Sequence, residues 1–273
     1  MSNIRRTTAA TLAVALLALA APAFASAARL VTVSGATASY PLVSLLAQRY
    51  VRLHKHTHQI HFRITQGGTQ VGINDVAAGR ITMADVSRDP IASDQGKNLY
   101  FYPIARYEIC VVTNQSNPVS NLSEAKIQGI FTGAVKNWSE VPGATATGPI
   151  NVISRTSVAG VLTSFKTLLL EGKSVTKSAT EASSEGLMKQ SVRNNPAAIG
   201  FISNYQVETG GLHAVNVENV PCAKAYVNTY PGVARFYEVT RGPAKGAASW
   251  FISWIDHSRA ASSIIRTKWL TVG

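Results

Sequence analysis

Ile64–Pro90 reads ITQGGTQVGINDVAAGRITMADVSRDP, and the order of elements in this stretch decides the expected fold. The apolar alternation of His61 to Ile64 ends at Gln66-Gly67-Gly68-Thr69, after which Val71, Ile73, Val76 and Ala77 recur at helical spacing. A strand, a glycine turn and a helix follow from that pattern. Two glycines let the backbone approach a ligand closely, Thr69 can cap the helix, and the free N–H groups of a first helical turn favour an anion. A second apolar segment, Ile81 to Val86, leads into Ser87-Arg88-Asp89. This turn offers a hydroxyl, a guanidinium and a carboxylate within three residues. Either turn alone is an ordinary strand-to-helix connection. Together they put polar groups at both ends of one short helix.

The same strand, turn and helix unit recurs on either side. Arg29 to Ser34 alternates as a strand, Gly35 to Pro41 (GATASYP) follows, and Pro41 suits the first turn of a helix carrying Leu42, Leu45 and Leu46. Thr37 and Ser39 are the hydroxyl donors of this turn. Downstream, Ile150 to Ser154 is strand-like and runs into Arg155-Thr156-Ser157, with a helix expected from about Val158 to Leu170. Arg155 could clamp an oxyanion with two parallel N–H bonds or form a salt bridge. Tyr100 to Thr113 reads as a strong strand, Asn121 to Phe131 as a capped helix, Glu185 to Val192 as another helix and Ala197 to Ile202 as a buried strand. Tyr226 to Val239 reads as return strands, followed by two terminal helices around Trp250 to Ile255 and Ser258 to Trp269. Strands alternating with helices imply mostly parallel sheets flanked by helices, with ligands outside the carboxyl ends of the strands.

The chain has 273 residues and opens with Arg5-Arg6, an apolar run from Leu12 to Ala21, and Ala23-Phe24-Ala25. This is the pattern of a secretory signal peptide cleaved near Ala25. The apolar run is shorter than the roughly 20 residues of a membrane span, and no cysteine stands beside the cleavage site to carry a lipid. A periplasmic or secreted location is expected. The formal charge of +12 falls to +10 once Arg5 and Arg6 are removed. Such a field attracts anions. The basic residues are scattered and lack the aromatic-basic signature of a nucleic-acid module, so no nucleic-acid partner is expected. Cys110 and Cys222 are the two cysteines; export allows them to pair, and the sequence leaves pairing and free thiols equally open.

Enzymatic signatures fail. There is no G-x-S-x-G, no H-E-x-x-H and no C-x-x-C, and Gly172-Lys173-Ser174 lacks a glycine at position 167, which is Thr167. The histidines of His54, His56, His58 and His61 have no nearby carboxylate or cysteine, and a solvated loop is expected there instead of a metal site. No catalytic residue, cofactor or metal is assigned. What remains is an inventory of hydroxyls, guanidinium groups and helix-start N–H groups, suited to holding a small oxyanion without transforming it.

Several of these segments, in this order, resemble the phosphate-binding solute receptors of bacterial phosphate ABC importers. Gly35 to Pro41, QGGTQVGI, MADVSRDP, NLSEAKIQGIFTGAVKNWSEV from Asn121 to Val141, and AAIGFISNY from Ala197 to Tyr205 carry the likeness. The resemblance implies a two-lobed, type II periplasmic binding protein fold, α/β, with a ligand cleft between lobes. Lobe I is expected to comprise 29–113 plus 226–273 and lobe II 114–225. It also implies phosphate capture by a monomer that delivers to membrane permease subunits. Contacts are expected from Thr37, Ser39, Tyr40, Gly68, Thr69, Ser87, Arg88, Arg155, Thr156 and Ser157. The Arg155 segment departs from the family's Arg-x-x-Gly-Ser-Gly-Thr, with Ala159 and Val161 where hydroxyls stand in relatives. Phosphate near neutral pH carries a proton, so a selective site needs an acceptor that sulfate cannot satisfy. Asp89, with Asp85 behind it, is the candidate, the alternative being that Asp89 pairs with Arg88 or caps a turn. Receptors for sulfate, molybdate or a phosphonate, and less readily a phosphatase-like hydrolase, are the rival readings.

Overall fold

A computed structural model describes residues 29–272. The proposed signal peptide lies outside the described residues. The chain begins with β1 (Arg29–Gly35), α1 (Tyr40–His54), β2 (Ile60–Gln66), α2 (Thr69–Ala77) and β3 (Met83–Val86), so the Ile64–Pro90 stretch forms the second of two consecutive crossovers. A long strand, β4 (Leu99–Thr113), leads to β5 (Asn121–Leu122) and α3 (Glu124–Thr132). Then come β6 (Asn151–Arg155), α4 (Gly160–Leu169), β7 (Thr180–Ala182), α5 (Glu185–Arg193), β8 (Ala198–Ser203) and α6 (Asn204–Glu208). Two short strands, β9 (His213–Ala214) and β10 (Asn216–Val217), precede β11 (Val233–Arg241), α7 (Gly246–His257) and α8 (Arg259–Lys268).

Helix boundaries follow local chemistry. Ser123 caps α3 by accepting from the Lys126 N–H at 3.2 Å, and Gly133 ends it in the left-handed region at φ 84°. Ser184 caps α5 through the Leu187 N–H at 3.1 Å. Thr69 behaves differently from the expectation. It is the first residue of α2, Gly68 occupies the cap, and the Thr69 hydroxyl turns inward instead of capping.

The main sheet has the order β2-β1-β3-β11-β4-β8-β6-β7, with β9 beside β4. Parallel pairs occupy its two ends, β2-β1-β3 and β8-β6-β7, while β11 and β4 run antiparallel through the middle. The long strand serves both ends: Leu99 to Glu108 pair with β11, and Ile109 to Thr113 pair with β8. The second crossing between the halves lies beside it, since the Ile109 N–H donates to Gly232 O at 2.8 Å. A Cβ on Gly232 would lie 2.8 Å from Ile109 O, so glycine is required for the two crossings to touch.

Helix α2 covers one face of the first half through Ile73 and Val76, which pack with Ala84, Val86, Tyr237 and Val239. The opposite face joins the large core that includes Leu42, Leu46 and Tyr50 of α1 and Phe251 and Ile255 of α7. In the second half, Phe165 stacks on Phe201 at 3.9 Å and Phe131 meets both rings edge-on. Cys110 and Cys222 form a disulfide, with Cα atoms 5.5 Å apart and a sequence separation of 112. Closing a loop of that length contributes roughly 5 kcal/mol in the chain-entropy account.

The histidine run is more ordered than the loop expected for it. His54 ends α1 and stacks on Tyr50, and His58 stacks on Trp250 while its Nδ1 lies 2.6 Å from the Tyr50 hydroxyl. Among the described residues no group of three or more His, Cys, Asp and Glu stands close enough to hold a metal, and no helix is long and apolar enough to cross a membrane.

Candidate functional site

Four loops meet where the two halves of the sheet face each other. They follow the carboxyl ends of β1, β2, β3 and β6, and they contribute Thr37 and Ser39, Gly68 and Thr69, Ser87 and Arg88, and Arg155 to Gly160. Parallel connections force this convergence, because each strand ends on the same edge and each following helix starts there.

Thr69 and Ser87 form the centre of the first half's contribution. Thr69 Oγ1 accepts from the Ser87 N–H at 3.2 Å and lies 3.3 Å from Ser87 Oγ. The Ser87 carbonyl accepts from Tyr107 Oη at 2.9 Å and from Ser164 Oγ of α4 at 3.1 Å. Helix α4 starts directly above the hydroxyl pair. A Cβ on Gly160 would lie 2.5 Å from Thr69 Oγ1 and 2.8 Å from Ser87 Oγ, so only glycine lets this helix end come so close. Gly160 and Val161 supply first-turn N–H groups that lack intrahelical acceptors. A helix of ten residues with the buried hydroxyls of Thr69 and Ser87 at its mouth makes an anion-binding arrangement.

Gly68 serves the same close approach. Its φ is 93°, and a Cβ there would meet Val158 Cγ2 at 2.8 Å. The neighbouring Gln70 N–H donates to Val158 O at 2.9 Å, a direct bond between the halves.

Both arginines are buried and paired. Arg88 makes a bidentate contact to Asp94, Nη1 to Oδ2 at 2.6 Å and Nη2 to Oδ1 at 3.0 Å, and also reaches Asp89 O and Gln70 Oε1. Burial alone would push the Asp94 carboxyl up, but the Arg88 bond, the Ile91 N–H and the Arg88 charge outweigh it and hold Asp94 below the usual carboxylate range. Arg155 donates through Nε to Ala182 O, through Nη1 to Glu185 Oε1 at 2.8 Å, and through Nη2 to Thr37 Oγ1 at 3.0 Å and Ser183 O at 3.2 Å. Glu185 is held in turn by Ser203, whose N–H and hydroxyl both donate to Oε2. Burial pulls the Arg155 guanidinium below its usual value, and the Glu185 charge opposes that. Each cation therefore brings its own carboxylate, and the seam carries hydrogen-bond donors with little net charge.

The structure sorts the expected contact residues. Thr37, Ser39, Gly68, Thr69, Ser87, Arg88 and Arg155 are buried at the seam. Tyr40 is not: it lines an open groove of about 530 Å³ with Gln48, Arg52 and His61 on the outer side of α1. Ser157 is exposed, whereas Thr156 is half-buried with its hydroxyl oxygen buried and unpartnered. Asp89 faces outward with 60% of its side chain exposed, accepts from Tyr237 Oη at 2.6 Å and lies 3.6 Å from Arg235. It does not pair with the Arg88 guanidinium through its carboxylate. Asp85, the residue placed behind it, is the carboxyl inside the seam, where Oδ2 accepts from Ser39 Oγ at 2.9 Å. Ala159 and Val161 are buried apolar residues. Asp94, Glu185, Gln70 and Ser164 escaped sequence reasoning. A carboxylate in the first turn of a helix, as at Glu185, is an ordinary capping signal, and nothing local marks its long-range partner.

Two α/β halves joined by two adjacent crossings, with hydroxyls, arginines and a helix start lining the seam, define a bilobed solute-binding protein. The sequence profile of the PBP superfamily domain matches residues 22–257, and the chain belongs to that superfamily. Phosphate-binding protein PstS of Bacillus subtilis is 25% identical over 238 residues, which cover 86% of this chain and 77% of that protein. A Clostridium perfringens protein assigned to the phosphate ABC transporter substrate-binding proteins, solved with bound phosphate, superposes with a TM-score of 0.83 at 25% identity, over 90% of this chain and 100% of that one. An ABC-type phosphate transport receptor from Vibrio cholerae gives a TM-score of 0.72 at 25% identity, over 89% and 99% of the two chains.

Proposed function

We propose that this protein captures inorganic phosphate between its two halves and delivers it to the membrane permease subunits of an ABC importer, after export and removal of the leader near Ala25. The observation that carries the reading is the start of α4 at Gly160, set against the paired hydroxyls of Thr69 and Ser87. The relatives named above supply the ligand and the importer. Fixed N–H and O–H donors in a buried seam can hold a small oxyanion, and the paired arginines add donors without a large excess of charge.

The lobes are assigned as 29–108 with 233–272 and 109–232 within the described chain, hinged where Ile109 meets Gly232. This moves the changeover from residue 113 into the middle of β4, because Ile109 to Thr113 already pair with β8. The proposed ligand set is Thr37, Ser39, Gly68, Thr69, Ser87, Arg88 and Arg155, with Gly160 and Val161 contributing backbone N–H groups. Tyr40, Thr156, Ser157 and Asp89 are left out of it.

Calorimetric titration of the purified protein with phosphate, sulfate and a chromogenic phosphate ester tests the reading. Saturable phosphate binding without turnover is expected. Tighter sulfate binding would reassign the anion, and ester hydrolysis would replace the receptor reading with a phosphatase-like one.

A further inference from the structure

A single rung of residues crosses the first half of the sheet. Gly35 of β1 stands opposite Asp85 of β3, Asp85 opposite Glu238 of β11, and Glu238 opposite Tyr102 of β4. The flanking residues Ala84, Val86, Tyr237 and Val239 face α2, so the rung points to the other face, beneath α1 and α7. Asp85 and Glu238 are fully buried. Three of their four carboxyl oxygens, Asp85 Oδ1 and both oxygens of Glu238, have no hydrogen-bond partner. The fourth, Asp85 Oδ2, accepts from Ser39 Oγ in the first anion loop. Asp85 Oδ1 lies against Gly35, where an added Cβ would come within 2.4 Å of it.

Two neighbouring buried carboxylates without cations cannot both stay ionised. Burial pushes Asp85 up to about 7, against the lowering effect of the Ser39 hydroxyl and the N–H groups of Asp85 and Ala36. Burial first, and then the Asp85 charge, lifts Glu238 well above the usual carboxylate range. No cation offsets either shift. The charged residues and histidines of the covering helices, Arg49, Arg52 and His54 of α1 and Asp256 and His257 of α7, lie in their C-terminal halves. Tyr102, the rung's neutral end, accepts from the Ala244 N–H at 2.8 Å.

We propose that Asp85 and Glu238 form a proton-holding pair that sets the pH dependence of anion binding, with Ser39 relaying its state to the cleft and Glu238 positioning the titration of Asp85. The proposal rests on the receptor reading above. While Asp85 is ionised, the Ser39 O–H is drawn to Oδ2 at 2.9 Å in preference to Ala36 O at 3.3 Å, and a negative charge stands behind the first anion loop. Once protonated, Asp85 can donate to Ser39 Oγ; the charge disappears and the Ser39 proton is free to turn into the cleft. An anion therefore favours the protonated form, and its binding draws one proton from solvent to the Asp85 carboxylate wherever the free protein has lost it. Glu238 remains protonated and supplies an O–H that can turn toward Asp85 Oδ1, which favours the ionised form of Asp85.

The experiment is a series of phosphate affinities from mildly acid to mildly alkaline pH for wild type, Asp85→Asn, Glu238→Leu and Glu238→Gln. Phosphate's own titration cancels in the ratio of wild-type to Asp85→Asn affinity. That ratio is expected to fall as pH rises through neutrality, approaching tenfold per pH unit above the Asp85 midpoint. Glu238→Leu should move the fall to more alkaline pH, and Glu238→Gln, which keeps a donor, should leave it near wild type. A flat ratio, or superimposable profiles for wild type and Glu238→Leu, would overturn the proposal. Should wild type bind no phosphate at any pH, the receptor reading fails and the relay to the anion fails with it. Infrared spectra of the free protein then decide the pair alone: a protonated-carboxyl band that titrates near neutrality and is lost in Asp85→Asn supports it, and absence of that band overturns it.

Discussion

Arg155 Nη2 donates to Thr37 Oγ1 across 3.0 Å, and the Glu185 N–H reaches the same oxygen at 3.2 Å. One threonine hydroxyl after β1 thus receives two donors from the opposite half, and the buried Arg155 of the second half is fixed by the first. The guanidinium that would clamp an anion with two parallel bonds already has a partner for Nε and for both terminal nitrogens.

Truncating this cation is therefore expected to cost stability before it costs affinity. Arg155→Met leaves the Glu185 carboxylate buried with only Ser203 to satisfy it, a situation that costs about 3–5 kcal/mol. Glu185→Gln keeps the shape and most hydrogen bonds, so its cost should be smaller. Urea denaturation of both variants measures the difference, and a loss below about 1 kcal/mol for Arg155→Met would mean that the pair is solvated.

Gly160→Ala isolates the approach of α4 to the first half. Its Cβ would stand 2.5 Å from Thr69 Oγ1, which forces the helix start and the hydroxyl pair apart. Phosphate affinity should fall by at least about tenfold, equivalent to about 1.4 kcal/mol, while secondary structure is retained. Unchanged affinity by calorimetry would show that the seam does not close on the ligand in this way.

Asp89→Asn tests the placement of the acidic residues. The side chain faces solvent and bonds to Tyr237, so any preference for phosphate over sulfate should survive the substitution. Competition titrations would contradict this placement if the preference narrowed.

Stability should vary with pH in a direction set by the buried carboxyls. Asp85 holds its proton up to about 7 in the folded chain but only to about 4 when unfolded. Between those values the native state binds more protons, so stability falls as pH rises, and the part due to Asp85 levels off above about 7. For Asp85 the cost is on the order of 4 kcal/mol, at 1.36 kcal/mol per pH unit, and the buried, uncharged Glu238 adds to the slope. Asp85→Asn should flatten this decline in thermal or urea unfolding, and an unchanged slope would locate the titrating group elsewhere.

Much of this architecture is legible in the chain itself. Apolar periodicity places β1 to β3 with α1 and α2 between them, and serine and glycine signals mark the ends of α3. These readings succeed because side-chain spacing and capping are local. The hydroxyl and glycine residues of Gly68, Thr69 and Ser87 are legible for the same reason. What Thr69 does with its hydroxyl is not, since the competing partner lies eighteen residues away, just past the end of β3. The paired Arg88 and Asp94, the Arg155–Glu185–Thr37 junction and the exclusion of Asp89 all depend on which residues the crossovers bring together. So does the Asp85–Glu238 rung, whose members are separated by most of the chain and meet only because β11 returns antiparallel beside β3. Sequence by itself determined the elements and their chemical inventory; tertiary structure decided which charges are paired, which carboxyl enters the seam and which is left without a partner. The division is physical: periodicity and capping act over a few residues, whereas register and burial are properties of strands far apart in the chain.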